Sequence, residues 1–175
     1  MPSIPGIGSV LPALPEAPPA LRACLFSLSG VAFAVDVRSA REVAVFDEIT
    51  TVPRASRHLI GVANLRGAIV PIVEIRGSLG LPEVETPAAR GLRTLVVCDG
   101  HLVAAAVVDS VLGLEPFDTI LPPDSPAAAR VRARRQLFSG WLSWAGEIVP
   151  VLDVPRLLSG LHATVGPTET SERPS

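Results

Sequence analysis

The chain has 175 residues, a formal net charge of −2, and a composition that is 48% hydrophobic and 18% charged. This length is sufficient for one domain, or for two small units that share a core, without disulfides or metal ions. The composition excludes wholesale disorder, and the net charge excludes a global positive field that would attract nucleic acid or an acidic membrane. Two cysteines are too few for a disulfide framework or a structural zinc site, which needs about four ligands.

The two ends of the chain differ in composition from the middle. Residues 1–22 carry six prolines and lack the basic region of a secretory signal, so we expect an extended leader. Residues 162–175 are rich in Thr, Ser, Glu and Pro and are predicted to form a loose tail. The longest apolar stretch, Leu102–Val108, is far shorter than the roughly 20 residues of a membrane-spanning helix. We therefore predict a folded body at 23–161 in a cytoplasmic protein that does not insert into membranes.

The folded body contains an internal repeat, which is the most informative feature of the sequence. GVANLRGAIVPIVE at 61–74 aligns without gaps with GWLSWAGEIVPVLD at 140–153. Two shorter matches lie upstream in both halves, FDEI at 46–49 with FDTI at 117–120, and LFSLSG at 25–30 with LVVCDG at 95–100. Because the order of these landmarks is the same in both halves, the sequence predicts two related structural units.

In chain order, each copy predicts five short strands and then a short helix, because apolar runs rich in Val, Ile and Leu alternate with turn residues. The predicted strands are 24–29, 31–37, 41–47, 62–66 and 68–74, then 93–98, 101–108, 110–117, 138–144 and 147–152. Asp153 is predicted to cap a helix that ends near Gly160. A five-stranded sheet hides its edges best by curling closed. We therefore predict a mainly β fold of two small barrels, in subdomains of approximately 23–82 and 92–161.

Few side chains point to catalysis. His58, His101 and His162 fall in separate surface segments, with no acid at a spacing typical of a catalytic pair. No phosphate-binding loop, HExxH motif or EF-hand occurs in the sequence. Asp47 and Glu48 are adjacent, and their side chains are expected to point to opposite faces of a strand. We therefore predict no enzyme activity, no catalytic residue, no metal site and no cofactor.

The basic run Arg130–Arg135 is the only charge run in the sequence. It contains no aromatic residue on which a base could stack. We interpret it first as a solvated face, and an acidic protein partner and nucleic acid stay open as alternatives.

The repeat also separates residues that the fold needs from residues that it does not need. Between the two matched glycines, Asn64 and Arg66 are replaced by Ser143 and Ala145 in the second copy, so the scaffold can be built without them. A guanidinium beside the tight turn at Gly67 makes a fixed fork of donors suited to carboxylates and backbone carbonyls. Arg66 is therefore interpreted either as a recognition residue or as a structural tie across the two barrels.

Three further positions of the repeat are informative. Pro71 and Pro150 lie in matched strands, and since proline cannot donate a hydrogen bond, these strands are predicted at sheet edges or bulges. Glu42 has no acidic equivalent in the second half, where Gly113 falls nearby. We interpret Glu42 either as an ordinary exposed strand residue or as a partner contact.

These residues resemble the CheW-like domain, the coupling protein of bacterial chemosensory arrays. The resemblance is carried by GVANLRGAIVPIVEIR at 61–76, VVDSVLG at 107–113, FAVDV at 33–37 with REV at 41–43, and LDVPRLL at 152–158. It runs from about Leu25 to Leu161, nearly the whole predicted body.

The resemblance implies a non-enzymatic adaptor of two five-stranded SH3-like barrels with short helices. In the family, the adaptor bridges the cytoplasmic tips of chemoreceptors (methyl-accepting chemotaxis proteins) and the regulatory domain of a CheA-type histidine kinase. These are the implied partners, in arrays at the membrane. Carried over by position, Asn64, Arg66 and Gly67 would be binding residues, and Glu42 with Ala40 would lie on the receptor-facing side.

Other functions stay open at the level of the sequence. A small-ligand-binding barrel needs convergent polar groups, and the sequence offers only Asn64 and Arg66. A barrel that binds nucleic acid needs a basic face with stacking aromatics, and we expect no nucleic-acid partner. Within the family, the small residue Ala40 and the basic run at 130–135 leave open whether such an array controls flagella or instead pili, gliding or gene expression.

Overall fold

The computed structural model describes residues 21–82, 91–117, 120–122 and 135–164. The described strands are β1 Leu21–Leu28, β2 Val31–Asp36, β3 Ala40–Phe46, β4 Leu59–Leu65, β5 Ala68–Val73, β6 Leu92–Asp99, β7 Leu102–Val107, β8 Ser110–Phe117, β9 Phe138–Trp144 and β10 Glu147–Leu152. The helices are α1 Arg76–Leu79 and α2 Val154–Thr164, with 3-10 turns at Val37–Ser39 and Arg135–Leu137. The leader up to residue 20, the tail from 165 and most of the basic run at 130–135 lie outside the described residues.

The mainly β prediction is confirmed, and every predicted strand coincides with an observed one. The predictions for 110–117, 138–144 and 147–152 have the observed bounds. The last helix does not end near Gly160, as the sequence predicted, but continues to Thr164. Gly160 is exposed in this helix.

The ten strands form two five-stranded sheets, with the orders β8-β1-β2-β10-β9 (sheet A) and β3-β6-β7-β5-β4 (sheet B). Each sheet contains the first hairpin of one copy of the repeat and the last three strands of the other copy. The sheets therefore do not coincide with the sequence halves 23–82 and 92–161, because the two copies exchange their first hairpins. The sequence repeat could not reveal this exchange, since a hairpin has the same sequence pattern whichever sheet it joins.

Each exchanged hairpin is joined to its sheet on one side by a long antiparallel pair, β1 with β8 or β6 with β3, and on the other side by a short parallel pair. In sheet A, Val151 lies opposite Ala34, and in sheet B, Ile72 lies opposite Ala105.

The strands that contain the matched prolines are therefore inner strands, so the prediction of sheet edges was wrong. The alternative of a bulge is confirmed, because the register shifts between Val151 and Leu152 where β10 pairs with β9, and between Leu59 and Gly61 where β4 pairs with β5. Proline is tolerated there because each parallel ladder begins at the residue that follows the proline.

The core has three parts. One cluster of buried residues lies between the sheets and includes residues of α2, and each sheet also has a cluster of its own. Along β6, for example, Leu95 and Val97 face the shared cluster, whereas Val96 faces the cluster inside sheet B. Because both faces of these strands are covered, their sequences are apolar throughout instead of alternating.

Sheet B curls so that its two edge strands approach each other. Phe46 of β3 and Ala63 of β4 belong to the same buried cluster, although β3 and β4 are at opposite ends of the sheet. Because the sheet curls, side chains from both edge strands pack in the same buried cluster. This agrees with the expectation that a five-stranded sheet hides its edges by curling closed. The curl also brings the end of the β4–β5 hairpin near β3.

Four aromatic rings dominate the part of the shared core that sheet A provides. Phe26, Phe33, Phe138 and Trp141 are each no more than 1% exposed. Their ring centroids follow one another at 5.9, 6.3 and 5.4 Å. Burial of one such side chain contributes about 1.5–3 kcal/mol, and contact between rings adds about 0.5–1.5 kcal/mol.

The first glycine of each repeat is explained by a close backbone crossing. The chain before β4 bridges to it through two hydrogen bonds of 2.8 Å between the backbones of Thr50 and Val62. A Cβ atom at Gly61 would lie 2.5 Å from the Thr50 carbonyl oxygen, and one at Gly140 would lie 2.5 Å from the Leu121 carbonyl oxygen. No side chain fits at either position, which is why both copies carry glycine.

We predict that Gly61→Ala lowers the free energy of unfolding by about 1–3 kcal/mol, because the new methyl group would overlap the Thr50 carbonyl. Gly160→Ala is the matched control. No atom lies within 4 Å of a Cβ placed there, and the change should raise stability by about 1 kcal/mol through helix propensity. Urea denaturation measures both variants, and equal stabilities would contradict the crossing as the reason for the glycine.

An ionic cluster centred on a buried arginine joins the two sheets. Arg76 begins α1, and its side chain is only 5% exposed. Its guanidinium donates to Glu74 Oε2 at 2.6 Å and to Asp109 Oδ1. Asp109, on the crossover from β7 in sheet B to β8 in sheet A, also accepts a hydrogen bond of 2.6 Å from the Ser29 amide in the β1–β2 turn. The Arg76 guanidinium therefore links the end of β5 to the β7–β8 crossover and, through Asp109, to the β1–β2 turn.

We predict that Arg76→Met lowers the free energy of unfolding by about 3–5 kcal/mol, because the change leaves the nearly buried Glu74 carboxylate without its cation. Arg38→Met is the control, since it breaks an ion pair with Asp36 in which Arg38 is 80% exposed. The control should leave the free energy of unfolding close to that of the wild type, because solvent screens so exposed a pair. Denaturant titration at pH 7 distinguishes the two, and equal losses would show that the Arg76 cluster is dispensable.

The contribution of the Asp36–Arg38 ion pair to stability depends on pH. The hydrogen bond from Arg38 holds the pKa of Asp36 below its usual range. A carboxylate whose pKa is lower in the folded state stabilises the fold above its unfolded-state pKa, and this contribution is lost as the pH falls through the folded-state value. The small effect of Arg38→Met should therefore be present at pH 7 and absent at strongly acidic pH.

Candidate protein-binding site

The candidate site is built on the two-residue turn between β4 and β5. Arg66 has φ = +53° and Gly67 has φ = +90°, and positive φ at both central residues is typical of a type I′ hairpin turn. The second copy makes the same turn with Ala145 at +50° and Gly146 at +80°. A side chain in the left-handed region costs about 1–2 kcal/mol, so each turn carries backbone strain at its first central residue.

Asn64 fixes the turn that carries Arg66. Its Oδ1 accepts a hydrogen bond of 2.7 Å from the backbone amide of Gly67. The amide side chain thereby satisfies a backbone donor of the strained turn and holds its conformation. Of the predicted binding residues, Asn64 and Gly67 have a clear structural role, which is to present the guanidinium of Arg66 at the end of the hairpin.

Arg66 makes an ion pair with Glu42, so the structure brings together two residues that are far apart in the sequence. Arg66 Nη2 lies 2.8 Å from Glu42 Oε2, and the side chains are 80% and 28% exposed. Such an exposed pair contributes only about 0–1 kcal/mol, so the fold does not depend on it. The equivalent positions in the second copy are Ala145 and Gly113, which cannot form an ion pair.

Ala40 lies apart from the other predicted residues. The pairing of β3 with β6 shifts register between Ala40 and Glu42. Ala40 is half-buried and packs against the shared core, whereas Glu42 reaches the hairpin end. The structure therefore assembles Glu42, Asn64, Arg66 and Gly67 at one place and puts Ala40 at the start of the same strand.

A groove of about 400 Å³ lies between β3 and β4, with Asn64 in its lining. Asp47 and Glu48 also line it. The expectation that their side chains point to opposite faces of a strand was wrong, because β3 ends at Phe46 and both residues lie beyond it. The groove is therefore rimmed on one side by carboxylates and on the other by the hairpin that carries Arg66.

Three exposed apolar side chains in this region were not predicted from the sequence: Val45 and Ile69, which line the groove, and Val43, which shares the exposed face of β3 with Val45. Val43 is 46% exposed, Val45 is 54% exposed and Ile69 is 67% exposed. The available signal was the alternation along β3, which places the two valines on the same face as the charged Arg41. An apolar patch beside a charged pair is a combination typical of protein interfaces.

Other candidate chemistry finds no support in the described parts of the chain. Burial raises the pKa of the Cys24 thiol, which keeps it protonated and unreactive. Among the described residues, no three His, Cys, Asp or Glu side chains are grouped so that they could hold a metal ion. The described helices include none of the length and hydropathy needed to cross a bilayer.

Comparison with known proteins gives the family. The profile of the CheW-like domain matches residues 22–162. A probable chemotaxis protein CheW of Rhizobium etli is 27% identical over 135 residues, which cover 77% of this chain and 84% of the relative. Protein PilI of Pseudomonas aeruginosa is 33% identical over 118 residues, which cover 65% of each chain.

A solved structure agrees with the fold. The crystal structure of scaffolding protein TtCheW from Thermoanaerobacter tengcongensis matches with a TM-score of 0.66 at 21% identity, covering 77% of this chain and 89% of that chain. The chain belongs to the CheW-like domain family, and the family and fold predictions are confirmed.

The strained turns generate a testable expectation about stability. Ala145→Gly should raise the free energy of unfolding by about 0.5–1 kcal/mol, because relief of the left-handed strain exceeds the entropic cost of glycine. Arg66→Gly should leave stability within about 1 kcal/mol of the wild type, since it also removes the exposed ion pair. Thermal and urea denaturation check both variants. A loss of more than about 2 kcal/mol in Arg66→Gly would assign Arg66 to the fold and not to recognition.

Proposed function

We propose that this protein is a non-enzymatic adaptor that couples chemoreceptors to a CheA-type histidine kinase in a bacterial chemosensory array. The observation that carries the proposal is the exposed Arg66–Glu42 pair, which lies on a fold that does not need it, beside the exposed apolar residues of β3 and β5. Relatives named CheW and a solved structure named as a scaffolding protein support the same function. The adaptor works in the cytoplasm and is recruited to receptor arrays at the membrane.

The surface has the composition that reversible coupling requires. Val43, Val45 and Ile69 provide apolar area, and the Arg66 fork provides directional donors at its margin. Among described residues, the Arg66 side chain bonds only to Glu42, through one of its five N–H groups. The other donors are available to a carboxylate or carbonyl of the partner.

Modest affinity is sufficient for such an adaptor. A micromolar contact corresponds to about −8 kcal/mol. An array presents many receptors and kinases at once, so effective concentration raises the occupancy of each contact. The exchanged sheets and the buried Arg76 cluster hold the adaptor as one rigid unit, which allows a force or displacement at one contact to be felt at another.

The test compares two exposed arginines. Arg66→Ala should reduce receptor-dependent kinase stimulation by about tenfold or more and weaken binding to receptor or kinase fragments, with a melting temperature within about 3 °C of the wild type. Arg38→Ala is the matched control, because Arg38 is also 80% exposed and paired with a single carboxylate. Full stimulation by Arg66→Ala, or an equal loss with Arg38→Ala, would contradict the proposed site.

A charge exchange tests the ion pair itself. If Arg66 and Glu42 act together in positioning a donor, Arg66→Glu should abolish coupling, and adding Glu42→Arg should restore part of it. If the partner binds Arg66 directly, the double variant should stay as inactive as the single variant. Calorimetric titration with receptor fragments measures the difference.

A second candidate output is an array that controls pili, because PilI is among the relatives beside the proteins named CheW. Co-sedimentation with receptor and kinase from a flagellar system and from a pilus system distinguishes the two. Selective recovery with the pilus components would assign the protein to that output.

A further inference from the structure

A second groove, of about 430 Å³, lies between α2, sheet B and the loop that precedes β4. Its floor is aliphatic and includes Leu59 and Val62 of β4, Val73 of β5, Ala104 of β7 and Leu161 of α2. It shares only Val62 with the described lining of the groove beside Arg66. The proposed coupling function makes no use of it.

The repeat shows that the fold does not force this groove to be open. Strand β4 is equivalent to β9 and β7 is equivalent to β2, because the matched glycines and the parallel pairs superimpose them. The floor residues Leu59, Val62 and Ala104 are therefore equivalent to Phe138, Trp141 and Phe33. Those three aromatic side chains are at most 1% exposed in the shared core.

In sheet A, aromatic rings of the chain itself fill the position that sheet B leaves open. Protein interiors are close-packed, and a core that lacks large side chains normally collapses or loses stability. Here the smaller residues instead line a space that opens to solvent. The groove therefore lies at the position that aromatic rings occupy in the equivalent half of the fold.

The rim of the groove carries nitrogen donors from three separate elements. His58 precedes β4, His101 belongs to the β6–β7 turn and His162 lies in the last turn of α2, and all three line the groove. These histidines lie in separate segments of the sequence, and only the fold brings them together. Arg54 and Arg57 are exposed on the loop that forms one side, and neither makes an ion pair with any described residue.

We propose that this groove binds an acidic segment of a partner protein, which inserts an aromatic side chain onto the aliphatic floor. The aliphatic residues of the floor favour an aromatic side chain of the partner, since the equivalent positions of sheet A hold phenylalanine and tryptophan. The arginines and histidines of the rim favour acidic residues on either side of that aromatic side chain, because guanidinium and imidazole N–H groups complement carboxylates. Aromatic anchors in such pockets carry most of the binding energy of protein interfaces, and charged margins add specificity.

The proposal is tested with synthetic peptides and the full chain. The probe is a twelve-residue peptide with one tryptophan flanked by glutamates, and its companions replace the tryptophan by alanine or the glutamates by lysine. Calorimetry should give a dissociation constant in the micromolar range, on the order of 10–500 μM. Both companions should bind about tenfold more weakly or worse, and NMR signals of the three imidazoles should shift only with the parent peptide.

Two variants locate the binding. Ala104→Phe places in sheet B the ring that Phe33 supplies in sheet A, so it should fill the groove and weaken binding at least about tenfold. His101→Glu changes an exposed turn residue and should weaken binding about threefold or more by repulsion, without touching the floor. It keeps the test valid if Ala104→Phe does not fold. Arg38→Ala is the control and should bind the peptide as the wild type does.

Several outcomes would overturn the proposal. These are equal binding of the alanine companion, or wild-type affinity in the folded variants that alter the groove. Binding of indole as tight as that of the peptide would assign the groove to a small aromatic ligand. Displacement of the peptide by a thymidine oligonucleotide would assign it to nucleic acid. None of these readouts depends on kinase stimulation, so the coupling function and this groove stand or fail separately.

Discussion

The fold depends on the reciprocal exchange of two hairpins. Hairpin β1–β2 belongs to the first copy of the repeat but completes sheet A with three strands of the second copy, and β6–β7 does the reverse in sheet B. Each exchange is closed by a short parallel pair, at Val151 with Ala34 and at Ile72 with Ala105. The faces that remain meet in one shared cluster. Neither sheet can be built from one half of the sequence, so each barrel depends on strands from both halves.

The two halves have similar backbones but differ in side chains at two functionally suggestive places, the β4–β5 turn and the floor of the second groove. One turn carries Arg66 and the other carries Ala145, at closely similar backbone angles. The position equivalent to Trp141 is Val62, which changes a filled core into an open groove. The two copies share one backbone arrangement, so each copy shows which side chains the other could carry at an equivalent position. Positions at which the copies differ, such as Arg66 and Val62, are therefore candidates for contact with partners.

The strands and the family could be predicted from the sequence because apolar runs, turn glycines and the repeat are local patterns. Gly61 was visible as a matched residue, but its reason, the Thr50 carbonyl 2.5 Å from its missing Cβ, is a tertiary contact. The pairing of Arg66 with Glu42 depends on the curl of sheet B, which no local pattern specifies. The exchange of hairpins was hidden for a related reason, since pairing partners leave no trace in the sequence of a single strand.

The hairpin exchange also has a consequence for synthesis on the ribosome. The chain emerges from its N-terminus, so β1 and β2, with the rings of Phe26 and Phe33, are made long before their partners. The parallel partner of β2 ends at Leu152, almost at the end of the body. Contacts between such distant parts of a chain form slowly, because a long loop must close first. The ribosome must therefore make every strand from β3 to β10 before sheet A is complete, and until then the apolar β1–β2 hairpin lacks its partners.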